Sequence, residues 1–133
     1  MDLLLDSDSG DIAKQLALID FDLYSAIEAT ELLNQSWNKA HLKHRSPNVT
    51  AMISRSTRLS FWVSSMIIYA DKITQRVKVV EKFIEVAQIL FELNNFNSLM
   101  AVLAGLSTSP IHRLKQTFKR ISTDKKKVTS PSR

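Results

Sequence analysis

The chain has 133 residues, no cysteine and a formal charge of +5, with 44% apolar and 23% charged residues. That is one ordinary globular domain, and it excludes disulfides, thiolate metal sites, a bilayer-spanning run and bulk disorder. The charge is uneven: residues 113–133 hold eight Lys/Arg against one acid and residues 1–112 hold ten against twelve, which excludes a globally basic nucleic-acid binder.

Residues 1–10 predict a loose lead, because Asp6, Ser7, Asp8, Ser9 and Gly10 favour turn over helix. Their apolar core is too short, and its flank too acidic, for a secretory signal. Asp11 is placed to cap a helix with apolar positions Ile12, Leu16, Ile19 and Leu23. Asp20 and Asp22 alternate with Phe21 and Leu23, which predicts a bend. Thr30 is the expected cap of a short helix through Leu32, Leu33 and Trp37. Residues 38–45 then read as a polar, basic connection. His41 and His44 have a metal-compatible spacing there, but no Cys, Asp or Glu close by completes a tetrahedral set, so both are expected to be solvated.

Ser46-Pro47 combines a capping residue with a proline suited to the first helical position. The helix it opens turns Val49, Met52, Ile53, Leu59, Trp62, Val63, Met66 and Ile67 inward. Asp71-Lys72 mark the next turn. Val77, Val80, Phe83, Ile84, Ala87, Leu90 and Phe91 then form one face of an amphipathic helix, with Arg76, Lys78, Glu81, Lys82, Glu85 and Gln88 mostly opposite. Asn94, Asn95 and Asn97 end it, since asparagine tolerates left-handed backbone and bonds its own main chain.

Residues 98–106, Ser-Leu-Met-Ala-Val-Leu-Ala-Gly-Leu, have almost no polar side and predict a helix buried all round, with Gly105 admitting a close neighbour. Ser109-Pro110 starts another helix, continued by Ile111, Leu114, Phe118 and Ile121. The fold class is all-α, a helical bundle of six to seven helices. Burying each large apolar side chain contributes about 1.5–3 kcal/mol. So short a chain has few helices to surround residues 98–106, and it is expected to be the first part of a larger helical body.

No glycine-rich phosphate loop is present, so the chain is not expected to bind GTP itself. No triad or nucleophile-elbow motif surrounds any Ser, His or Asp. Asn34-Gln-Ser36 and Asn48-Val-Thr50 match the glycosylation pattern by chance. No catalytic residue, cofactor or metal is expected. Lys125–Lys127 lack interleaved aromatics for base stacking and read as a solvated tail with at most weak contact to an acidic membrane.

Glu92-Leu-Asn-Asn-Phe-Asn-Ser98, then Leu103-Ala-Gly-Leu106 and Ser109-Pro-Ile-His-Arg-Leu114, resemble the signature of the Ras guanine-nucleotide exchange factor (RasGEF) catalytic domain. Ile12–Tyr24, Glu31–Lys39 and Ser46–Ile53 leading to Phe61-Trp62 agree with that family in order. The resemblance implies the N-terminal half of such a domain over residues 11–122, after the lead of 1–10 and before a basic flexible tail of 123–133. It implies a regulator without covalent chemistry that promotes GDP release from a Ras-family GTPase of Ras or Rap type. It also implies action in the cytoplasm, with recruitment to the inner face of the plasma membrane. The family's later helical hairpin, which pushes switch I aside, finds no counterpart after Lys125, so incomplete exchange machinery is expected. The alternative is a non-catalytic module that binds a GTPase or a partner helix.

By the same resemblance, Ile53 and Met100 floor a pocket for the GTPase's switch II, with Thr57 one turn along from Ile53. Ser107 and His112 supply polar and ring contacts. Two departures bear on affinity: Ser107 stands where the family commonly has asparagine, and Ser54 stands at an often charged position.

Overall fold

A computed structural model describes residues 2–107, with the side chains of Asp2, Leu3, Asn34 and Lys43 left aside. The described residues form α1 (Asp2–Asp6), α2 (Ser9–Ser25), 3₁₀ helices over Ala29–Asn38 and Ala40–Arg45, α3 (Pro47–Ile68), α4 (Ile73–Glu92) and α5 (Phe96–Leu106). No strand occurs among them, and the expected all-α bundle is the architecture found. The helix expected from Ser109, His112 and the basic tail lie outside the described residues.

The centre of the bundle is α4. Val79, Val80, Phe83, Ile84, Val86, Ala87 and Leu90 are out of water on it, and α1, α2, α3 and α5 pack around it. Ala13 of α2, Leu59, Val63 and Ile67 of α3, and Val102 and Leu106 of α5 complete the core. The Trp62 ring stands edge-on to Phe83 with centroids 5.3 Å apart, although Trp62 remains partly exposed rather than turned fully inward. Phe91, expected on the buried face, is exposed instead, and its ring meets Phe96 across the asparagine elbow that joins α4 to α5.

α3 and α5 lie side by side in the same direction. Ser56 Oγ donates to Asn97 Oδ1 at 3.1 Å near the α5 start, and Ser64 Oγ to the Gly105 carbonyl at 3.4 Å near its end. Gly105 makes that approach possible: a Cβ there would stand 2.6 Å from the Ser60 carbonyl oxygen and 2.7 Å from Val63 Cβ.

Several local expectations give way to tertiary contacts. The lead is not loose, since residues 2–6 are helical and Leu4 is buried against the core. Asp8, not Asp11, caps α2, accepting from the Asp11 backbone N–H at 3.1 Å. No bend occurs at residues 20–22; α2 runs through them because Asp20 is engaged from within the bundle. The connection with His41 and His44 is itself a 3₁₀ helix, and both histidines are exposed as expected.

Residues 98–106 are helical, but not buried all round. Ser98, Leu99, Ala101, Val102, Gly105 and Leu106 are buried, whereas Met100 and Ala104, one turn apart, face outward. Helices α2, α3 and α4 pack on α5 but leave this side open.

Candidate functional site

The asparagine elbow shows why that stretch is so polar. Asn94 takes φ of 58°, the left-handed backbone asparagine tolerates, and ends α4. Asn95 caps α5, its side chain accepting from the Ser98 N–H at 3.0 Å. Asn97 and Ser98 do something the local sequence does not reveal: their side chains enter a buried polar cluster joining three helices.

At its centre is Asp20 of α2, 4% exposed, facing Arg55 of α3, 9% exposed. Arg55 Nη1 donates to Asp20 Oδ1 at 2.7 Å and to Ser98 Oγ at 2.7 Å, and Nη2 donates to the Leu16 carbonyl at 3.3 Å. The Ser98 hydroxyl donates to Asp20 Oδ2, and Asn97 Nδ2 donates to Asp20 Oδ1 at 3.0 Å. A buried charge left unpaired is expensive, so this pairing fixes where α2, α3 and α5 meet.

A second buried acid starts α3. Glu31 sits in the first 3₁₀ helix and its carboxylate accepts four hydrogen bonds. They come from the backbone N–H groups of Glu28, Asn48 and Val49 and from Asn48 Nδ2, at 2.7–3.1 Å. Ser46 occupies the cap position without capping. Its hydroxyl donates to the Glu31 carbonyl at 2.6 Å, and Glu31 satisfies the free N–H groups of α3 in its place. Thr30, expected as the cap of the first 3₁₀ helix, lies inside it, and Glu28 holds the cap position. Burial would raise the Glu31 pKa, but those hydrogen bonds outweigh it and lower it to about 2.

Outside these anchors lies an apolar surface. Ile53 is 50% exposed on α3 and Met100 is 63% exposed on α5. Ser54 and Thr57 are exposed on α3, and Thr57 follows Ile53 by four residues with its Oγ1 donating to the Ile53 carbonyl at 3.1 Å. Ser107 is exposed at the C-cap of α5. Five of the six residues singled out from the sequence are thus exposed on, or at the end of, two adjacent and co-directional helices; His112 lies outside the described residues. Periodicity alone had turned Ile53 inward. Arg55, Asp20, Asn97 and Ser98, which meet in the buried polar cluster, were missed, because their partners lie 35 to 78 residues away in sequence.

Beside this surface, between α2 and the elbow, an open trough of about 660 Å³ is lined chiefly by Leu18, Phe21, Tyr24, Met52, Leu93 and Phe96. No group of three or more His, Cys, Asp or Glu that could hold a metal occurs among the described residues. None of the described helices is long and apolar enough to cross a membrane.

Fold and surface define a class: an all-α domain that leaves several large apolar side chains in water, Ile53 and Met100 among them. The RasGEF domain model matches residues 11–133, and the chain belongs to the RasGEF family. It is 54% identical over 120 residues to Ras guanine nucleotide exchange factor R of Dictyostelium discoideum, covering 90% of this chain and 7% of that protein. Factor S of the same organism is 51% identical over 112 residues, with 84% and 11% covered. Factor A is 49% identical over 119 residues, with 90% and 20% covered. The chain therefore spans a fifth or less of the length of these relatives.

Proposed function

We propose that the protein promotes GDP release from a Ras-family GTPase of Ras or Rap type, and that the α3–α5 face described here grips that partner. The observation that carries this reading is the exposure of Ile53 and Met100 on neighbouring helices, in a domain whose family and relatives are exchange factors. Aliphatic and thioether side chains left in water beside a polar margin of Ser54, Thr57 and Ser107 suit an apolar segment such as switch II. His112 would add a ring contact from the chain that follows.

The mechanism requires no covalent step. A surface that binds the nucleotide-free GTPase more tightly than the GDP-bound form must, by linkage, weaken GDP binding by the same factor. GTP then reloads the emptied site. The serines at positions 54 and 107 offer neither charge nor carboxamide, so partner choice rests chiefly on shape and apolar contact. A Ras-type partner would place this activity in the cytoplasm, at the inner face of the plasma membrane, where the basic tail could add weak attraction to acidic lipid.

Release of fluorescent GDP from Ras and Rap proteins, followed alongside capture of their nucleotide-free and GDP-loaded forms, tests the reading. Preferential capture of the nucleotide-free form is expected, with only a small acceleration of GDP release by this stretch alone. Saturable binding with an unchanged GDP off-rate would instead establish a non-catalytic binding module. Absence of binding in either form contradicts both.

A further inference from the structure

Arg55 follows Ile53 by two residues on α3, and Ser98 precedes Met100 by two residues on α5. Two residues turn an α-helix through about 200°. Each inward polar side chain therefore stands nearly opposite an outward apolar one. Inside, Arg55 Nη1 donates to Ser98 Oγ and Asp20 Oδ1, each at 2.7 Å, while Ser98 Oγ donates to Asp20 Oδ2 and Arg55 Nη2 to the Leu16 carbonyl.

Apolar packing is non-directional and tolerates a helix rolling about its axis. A planar guanidinium with fixed donor directions, held to a carboxylate and a hydroxyl on two other helices, does not. A roll of about 20° would carry a side-chain tip, at a radius of about 5–6 Å, through roughly 2 Å. A buried ion pair is a poor source of stability compared with apolar packing, and fixing register is its better attested use.

Resting on the GTPase-binding reading above, we propose that Arg55 and Ser98 are positioning residues: from inside the bundle they lock the roll of α3 and α5 and so aim Ile53 and Met100 at the partner. Neither touches the GTPase. Ser98 is 0% exposed and Arg55 is enclosed between α2 and α5, so their effect reaches the surface only through helix orientation.

The test uses the whole chain with labelled isoleucine and methionine methyl groups, titrated with nucleotide-free Ras at a temperature where circular dichroism shows each variant folded. In Arg55→Gln, the Ile53 and Met100 methyl resonances are expected to shift and affinity to fall roughly tenfold or more, as geometric misplacement of a site predicts. Arg55→Lys keeps the charge without the fork and should recover part of both. Ser98→Ala, a smaller change, should move both readouts in the same direction and serves if the Arg55 variants do not fold.

A folded variant that keeps wild-type affinity overturns the proposal. So does one that loses affinity while both resonances stay in place. If wild type itself fails to bind, the proposed function falls instead; resonances unmoved in the variants would then overturn the positioning role as well.

Discussion

Asp20 and Arg55 meet at 2.7 Å although 35 residues separate them, and each is almost entirely removed from water. Removing one partner strands the other as a buried charge. Asp20→Ala should therefore destabilise the fold by about 3–5 kcal/mol. The double variant Asp20→Ala with Arg55→Met should recover part of that loss, because no unpaired charge remains. Chemical denaturation of the three proteins measures this; a double variant no more stable than Asp20→Ala would contradict it.

Gly105 permits the closest approach of α3 and α5. An added Cβ would press on the Ser60 carbonyl oxygen, which is backbone and cannot swing away. Gly105→Ala should force the two helices apart at a cost of about 1–3 kcal/mol, the usual range for overpacking. A melting temperature equal to that of wild type would show that the helices separate freely.

Glu31 gives the fold an acid-side pH dependence. Its folded pKa of about 2 lies below the ordinary 4.5, so the carboxylate's contribution is present above pH 4.5. It is lost as pH falls towards 2 and the proton is taken up, because the unfolded chain binds that proton more readily. Glu31→Gln should be less stable than wild type at neutral pH, and the gap should narrow across that window. Denaturation midpoints measured from pH 6 down to pH 2.5 test this; a gap of constant size would contradict the sign.

Much of the scaffold was legible in the sequence, and the limits follow a physical rule. The three- and four-residue spacing of Val80, Phe83, Ile84, Ala87 and Leu90 reported α4 because burial on one face is a local pattern. The left-handed Asn94 and the capping Asn95 were equally local. The polar residues that bond across the bundle were misread. Asp20 looked like a bend and Ser46 like a cap, because an acid or hydroxyl beside its own backbone and one paired with a distant helix are identical in sequence.

The same rule governs the candidate face. Ile53 carries an inward periodicity and Met100 sits in an apolar run, so pattern alone buried both. Both are exposed in the structure, and only the resemblance to an exchange-factor motif assigns them a partner.

The central claim is that Ile53 and Met100 form the gripping surface, and it is tested most directly by titrating nucleotide-free Ras into wild type and Ile53→Ala/Met100→Ala while recording the thermal melt of each. Both side chains face solvent, so stability should change by no more than about 0.5 kcal/mol per substitution. Affinity should drop by about 2 kcal/mol or more, roughly thirtyfold, as for a central contact pair. Equal affinity for the two proteins, with both fully folded, would contradict the account.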